Sequence, residues 1–289
     1  MIQLTNERLS VEIAKQGAEL QSIRRTDWEI DYLWNGDPAF WSKRSPVLFP
    51  IVGGLKNNTY EYNGQNYTMG RHGFARDKEF KVIEQSVDKV TFELTDNEET
   101  LKVYPFRFVF NVTYQLERNK LIVTYNVRNT DDKVMLFSVG AHPAFRVPLV
   151  KDTTYEDYFL RFNKVETTGI WPLSPDGQIE SAPVPFLNQV SELPLKKSLF
   201  YKDALVFKSL ASTTISIKSK LTPHGLTVSY DGFPFMGIWA AKDADFVCIE
   251  PWCGIADSVT SSGKLEDKEG ILSLEPGNTF TRSWNVELY

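Results

Sequence analysis

The sequence predicts a single large all-β domain, an antiparallel β-sandwich that spans residues 1–289. Three observations favour this fold. Short runs of alternating polar and apolar residues recur along the chain, as expected of strands with one buried face. Aromatic residues make up 13% of the sequence, and aromatic side chains are common in strands. Long amphipathic helices, internal repeats and low-complexity linkers are missing, so neither an α/β fold nor a division into domains is indicated.

The individual elements follow from local patterns. The clearest strand patterns lie at residues 9–14, 89–94, 107–116, 120–129 and 213–219. Residues 117–119 predict a tight hairpin connection, and Asn63-Gly64 favours a second hairpin turn with positive φ. Residues 151–200 carry five prolines in a polar setting, and we expect long loops there.

Composition and charge narrow the classes of partner. The net charge is -5 and the pI is near 5.4, which argues against nucleic acid or an anionic membrane as the partner. No apolar run approaches the roughly 20 residues that span a bilayer, and the N-terminus resembles neither a signal nor a transit peptide. Two cysteines, Cys248 and Cys253, fit a reduced environment. We therefore expect a cytoplasmic protein.

Two residues stand out as candidates for acid–base chemistry. His142 lies among small residues and is followed by Pro143, which restricts its backbone. Glu250 ends an apolar strand just before Pro251, where a carboxylate is costly unless it is hydrogen-bonded or functional. The plainer alternatives are a histidine satisfied by a backbone carbonyl and an edge carboxylate turned to solvent. His72 is equally compatible with a surface loop.

The sequence gives little support to a metal site. The C-x4-C spacing of the two cysteines matches no metal motif, and H-E-x-x-H is missing. Two histidines and a glutamate suffice for an iron-type facial triad, but His72, His142 and Glu250 are widely separated along the chain. We therefore expect no metal.

Three motifs in order carry a resemblance to a known family. The segments "HGFARD", "GAHPAF" and "IEPW", on a chain of this size and composition, resemble the aldose 1-epimerase (galactose mutarotase) superfamily. The likeness runs over nearly the whole chain and is greatest to the bacterial branch found with lactose and tagatose operons. It implies a β-supersandwich of large twisted antiparallel sheets with an open cleft. It also implies cofactor-free interconversion of the α and β anomers of an aldose.

The resemblance also implies roles for individual residues. Glu250 matches the family's general base and His142 its general acid. His72 and Arg44 match a histidine and an arginine that contact the sugar, and Asp203 is similar to a further aspartate of the site. An imidazole and a carboxylate suit this reaction, because ring opening removes the proton of the C1 hydroxyl and protonates the ring oxygen.

Some positions depart from the family's pattern and leave alternatives open. Ala141 stands where the better-known mutarotases have an asparagine, and Arg146 adds a cation after "HPAF". Both positions bear on which sugar the protein binds.

Three alternative functions stay open: an epimerase of hexose 6-phosphates, a non-catalytic carbohydrate-binding protein of the same fold, and a metal-dependent oxygenase or isomerase. The expected partner is a small-molecule sugar, and either a monomer or a homodimer fits. Trp34, Trp252 and Phe145 are candidate apolar faces for that sugar.

Overall fold

A computed structural model describes all residues, 1–289, as 22 strands with little helix. The strands are β1 Ile2–Thr5, β2 Leu9–Ile13, β3 Leu20–Arg25, β4 Val47–Leu48, β5 Thr59–Tyr62, β6 Gln65–Thr68, β7 Lys81–Gln85, β8 Lys89–Thr95, β9 Phe108–Glu117, β10 Lys120–Asn129, β11 Met135–Phe137, β12 Val139–Ala141, β13 Ala144–Arg146, β14 Tyr158–Ile170, β15 Val184–Pro194, β16 Leu205–Phe207, β17 Thr214–Ser219, β18 Leu226–Ser229, β19 Phe235–Trp239, β20 Phe246–Cys253, β21 Leu272–Leu274 and β22 Thr279–Leu288. The helical segments are α1 Glu98–Val103 and the 3₁₀ turns Lys56–Asn58, Ala75–Asp77, Tyr155–Asp157 and Lys197–Phe200. The all-β prediction is confirmed.

Two large antiparallel sheets dominate the architecture. The first has nine strands in the order β15-β14-β17-β18-β22-β10-β9-β8-β7. The second has six, in the order β16-β19-β20-β12-β4, with β13 also pairing with β20. Strands β1 to β3 form a separate small sheet, and β5-β6 and β11-β21 are two-stranded. No helix has the length and apolar character needed to cross a membrane.

The predicted hairpins form where turn residues lie between alternating strands. In β9 and β10 every second side chain is buried, so one face of this ribbon packs against the core while the other meets solvent. Arg118 takes a positive φ in the connection between them. Asn63 and Gly64 both have positive φ, as a two-residue type I′ turn requires, and they join β5 to β6.

The segment 151–200 differs from the sequence-based expectation of long loops. It contains β14 and β15, which are 13 and 11 residues long and pair with each other at the edge of the nine-stranded sheet. Because β15 has one neighbouring strand and is mostly exposed, it needs no apolar alternation. Pro185 and Pro194 are tolerated since an edge strand leaves backbone groups without a ladder partner. Register shifts in the pairing further blur the pattern.

The core is filled from the whole length of the chain. One hydrophobic cluster contains 69 buried residues, and a second contains eight, among them Trp252. Every residue of β20 is buried, which explains its nearly continuous apolar sequence. Glu250 is part of this strand and is likewise buried.

Candidate active site

The strand register brings His142 and Glu250 together. Strand β20 pairs first with β12, where Gly140 lies opposite Trp252, and then with β13, where Ala144 lies opposite Cys248. His142 occupies the break between β12 and β13, and the shared register puts it opposite Glu250. Residues directly opposite each other on antiparallel strands have neighbouring side chains. Nε2 of His142 is accordingly 3.2 Å from Oε2 of Glu250.

Burial controls the protonation of this pair. The side chains of His142 and Glu250 are 10% and 2% exposed. Burial lowers the pKa of the His142 imidazole to about 3. Burial, with a smaller contribution from the negative charge of Asp203, raises the pKa of Glu250 well above its ordinary value. Both shifts favour the uncharged form of each group, so the favoured state of the pair is a neutral imidazole beside a protonated carboxyl, with one titratable proton between them.

Three rings enclose the imidazole of His142. Trp41 is stacked on it with ring centroids 5.0 Å apart. Trp239 and His72 meet it edge to face at 5.7 Å and 5.6 Å. These rings keep water away from the imidazole and fix its plane, while its Nδ1 atom has no hydrogen-bond partner. Neither Trp41 nor Trp239 was singled out by sequence pattern; the sequence offers only their aromatic character as a signal.

His72 enters the same cleft from the loop after β6. Its backbone has a φ of 69°, and its N–H donates to the carbonyl of Gly53 at 2.8 Å. The N–H of Gly53 in turn donates to Nδ1 of His72 at 3.1 Å. Burial lowers the pKa of His72 well below its ordinary value, with His142 and nearby arginines adding to the shift. The neutral ring therefore carries its proton on Nε2, where it is a hydrogen-bond donor.

Two glycines fix the indole of Trp252 beside His142 and Glu250. A Cβ atom at Gly140 would lie 2.8 Å from the ring, and one at Gly237 would lie 2.4 Å from it. The ring thus occupies space that side chains on both neighbouring strands would fill. Its N–H contributes to the electrostatics of Glu250, lowering the carboxyl pKa against the larger effect of burial, without reaching hydrogen-bond geometry.

An open cleft of about 840 Å³ contains the pair, a size suited to a small-molecule ligand. His72, Asp203 and Trp252 line it as well, whereas Trp34 and Phe145 lie in the core. The backbone of Asp203 has a φ of 99°, and its carboxylate accepts the N–H of Ala204 at 2.7 Å. The lining residues not considered from the sequence include Trp41, Trp239, Tyr201, Lys202 and Lys242.

Arg44 does not line the cleft, which departs from the expectation that it contacts the sugar. Its guanidinium donates to the carbonyl of Gln21, and its N–H donates to the carboxylate of Glu19 at 2.7 Å. These bonds tie it to β3 and away from the open space. Arg71 and Arg76 from the "GRHGFARD" segment line the cleft instead. Nη2 of Arg76 donates to the Arg71 carbonyl at 2.9 Å, which links the two arginines.

Comparison with known proteins agrees with the fold. The family model for aldose 1-epimerase matches residues 1–284. The chain is 35% identical over 296 residues to the chromosomal Protein LacX of Lactococcus lactis subsp. lactis, covering 99% of each protein. It is also similar to a galactose mutarotase related enzyme from Lactobacillus acidophilus, with a TM-score of 0.96 and 35% identity over 100% of this chain and 97% of that one.

A second solved structure supports the same assignment. A galactose mutarotase-like protein from Lactobacillus casei ATCC 334 has a TM-score of 0.88 and 32% identity, with both chains fully covered. The fold is therefore that of the galactose mutarotase-like proteins. From its matched length, its identity to these relatives and the shared architecture, the chain belongs to the aldose 1-epimerase family.

Proposed function

We propose that the protein interconverts the α and β anomers of a hexose by cofactor-free ring opening and closure, with Glu250 as general base and His142 as general acid. The observation that carries this proposal is the buried contact between the two side chains at the cleft. The two reacting oxygens of a pyranose, that of the C1 hydroxyl and that of the ring, are both bonded to C1. An adjacent base and acid can therefore serve both at once.

One shared proton is sufficient for the cycle. In the reactive form the proton is on His142 and Glu250 is a carboxylate. Glu250 accepts the proton of the C1 hydroxyl while His142 donates its own to the ring oxygen, so the bond from C1 to the ring oxygen breaks and a carbonyl forms. After rotation about the C1–C2 bond, both transfers reverse on the other face of the carbonyl. The form with the proton on Glu250 is the one that ring opening leaves.

Neighbouring groups supply the remaining requirements. The Nε2–H of His72 and the guanidinium of Arg76 are donors at the cleft for charge that develops on sugar oxygens. Trp41 and Trp239 offer aromatic faces for the C–H surface of the ring. Asp203 contributes an acceptor for sugar hydroxyls. Together these groups would orient the anomeric centre over the pair.

The test is the rate of anomer exchange, followed by polarimetry or by NMR of the anomeric protons on fresh α-glucose and α-galactose. We expect Glu250→Gln and His142→Asn each to reduce the enzymatic rate by about 10²–10⁴-fold while folding normally. His224→Asn is the matched control, because the ring of His224 packs against Trp28 outside the cleft. Wild-type rates in either cleft variant would overturn the assignment. Sugar affinity without turnover in the wild type would favour a carbohydrate-binding protein.

A phosphorylated hexose is a second candidate substrate. Arg71, Lys202 and Lys242 line the cleft, and none of them forms an ion pair with a carboxylate. Unpaired cations at a binding cleft suit an anionic ligand, although the protein as a whole is acidic. Anomer-exchange assays on glucose 6-phosphate and galactose 6-phosphate, compared with the unphosphorylated sugars, distinguish the two substrate classes. A kcat/KM at least tenfold higher for the phosphates, lost in Arg71→Gln, would identify this substrate class.

A further inference from the structure

A buried cysteine joins the catalytic pair and has no part in the proposed reaction. Cys248 lies two residues before Glu250 on β20, so both side chains point to the same face of the sheet. Its thiol sulfur, one ring nitrogen of His142 and one carboxylate oxygen of Glu250 all lie within 4.8 Å of one another. Ala144, the residue opposite Cys248, is small and leaves room beside the thiol.

We propose that His142, Cys248 and Glu250 form a binding site for a borderline-soft divalent cation, Zn²⁺ above all, and that occupation of this site inhibits the enzyme. Nitrogen, thiolate and carboxylate donors are all accepted by zinc, and three protein ligands leave a fourth position open towards the cleft. Bond lengths of about 2.0–2.3 Å separate tetrahedral ligands by roughly 3.5 Å, so small side-chain rotations would close the site.

Charge balance favours such a complex in a buried position. Binding displaces the thiol proton of Cys248 and the one proton shared by His142 and Glu250, so two protons leave as the dication enters. The product combines a dication with a thiolate, a carboxylate and a neutral imidazole, and its net charge is zero. A neutral centre avoids the cost of burying a net charge. Affinity should accordingly increase with pH.

Inhibition follows because the ion and the catalytic proton occupy the same atoms. With Zn²⁺ bound, Glu250 cannot accept the proton of the C1 hydroxyl, and the His142 nitrogen that binds the metal has no proton to donate to the ring oxygen. The ion is an inhibitor here and not a cofactor. This consequence rests on the proposed function, whereas metal binding itself does not.

Cobalt gives a direct readout of the thiolate ligand. We expect Co²⁺ titrated into the wild-type protein to produce a near-ultraviolet thiolate-to-cobalt charge-transfer band that saturates at one equivalent and is displaced by Zn²⁺. Cys253→Ser is the matched control, because Cys253 is the other free buried cysteine of β20 and lies outside the cluster. It should keep the band, whereas Cys248→Ser should lose it and bind Zn²⁺ at least tenfold more weakly.

Further variants keep the proposal open to refutation if Cys248→Ser folds poorly. Glu250→Gln and His142→Asn should each weaken Zn²⁺ binding at least tenfold by calorimetry while thermal melts stay cooperative. No band in the wild type, or a band that persists in Cys248→Ser, would overturn the metal site. If the protein binds metal but does not catalyse anomer exchange, the metal site is supported and the proposed function is refuted. If saturating Zn²⁺ leaves the rate of anomer exchange unchanged, the proposed inhibition is refuted.

Discussion

Replacing Asp257 by asparagine should strongly destabilise the protein, because it leaves a charged lysine unpaired in the interior. Nζ of Lys268 donates to Oδ1 of Asp257 at 2.9 Å and to the carbonyl of Ile255 at 2.7 Å. The other carboxylate oxygen accepts the N–H of Lys56 at 2.9 Å. The side chains of Lys268 and Asp257 are 1% and 3% exposed, so water cannot replace the lost charge. Burial lowers the pKa of Lys268 even with its partner present.

The expected loss is about 3–5 kcal/mol, the range for breaking a buried pair by removal of one partner. With a urea slope of about 3 kcal/mol/M, a loss of 4 kcal/mol lowers the unfolding midpoint by about 1.3 M. Lys268→Met should cost a similar amount. The double variant Asp257→Asn/Lys268→Met should cost less than the sum of the two by about 2 kcal/mol or more, because it leaves no unpaired charge.

Equilibrium urea unfolding followed by fluorescence and circular dichroism measures these losses. Glu84→Gln is the control, because Glu84 pairs with Lys89 at the surface, and its removal should cost less than about 1 kcal/mol. A loss below about 1 kcal/mol in Asp257→Asn, or additive single losses, would refute the reasoning.

The buried pair of Asp257 and Lys268 also supports the cleft. The backbone N–H of Asp257 donates to the carbonyl of Gly54, and its carbonyl accepts the N–H of Ile179; both Gly54 and Ile179 line the cleft.

Four further predictions concern the cleft and its surroundings. The kcat/KM should be flat around neutral pH and should fall on the acid side only near the pKa of about 3 of His142, where the pair takes up a second proton. An acid limb near the ordinary imidazole value of about 6.5 would contradict the shared proton. Trp41→Ala admits water to His142 and Glu250 and should move the acid limb of the kcat/KM profile to higher pH in the same assay. Gly237→Ala forces the Trp252 indole to move and should cost about 1–3 kcal/mol in urea unfolding and lower kcat. Arg44→Gln should change KM less than twofold in the exchange assay; a tenfold increase would restore Arg44 as a sugar contact.

Sequence patterns predicted the strands and turns whose conformation depends on residues close together along the chain. The ribbon of β9 and β10 alternates because one face is buried, and Asn63-Gly64 forms the separate β5–β6 hairpin turn through positive φ. The long pair of strands β14 and β15 was missed because β15, the edge strand, is mostly exposed and needs no apolar face, and because register shifts interrupt the pairing of the two. Proline content, which predicted loops there, is also compatible with an edge.

The sequence singled out His142 and Glu250 but did not predict how they are arranged. His142 and Glu250 were identifiable by their unusual local settings and by resemblance, yet their contact depends on how β12 and β13 share one register with β20. No sequence pattern encodes that pairing. The same holds for Trp41, which reaches His142 only through tertiary packing, and for Arg44, whose guanidinium binds a backbone carbonyl.

The stacking of Trp41 on His142 has a spectroscopic consequence. An indole in contact with an imidazole is quenched when that imidazole becomes charged, and here the ring centroids are 5.0 Å apart. The emission of Trp41, one of the seven tryptophans, is therefore tied to the charge of the His142 imidazole. Comparison of wild type with a Trp41→Phe variant isolates that signal. The protein thus contains its own optical reporter of the acid that would open the sugar ring, readable on the nanosecond timescale of fluorescence.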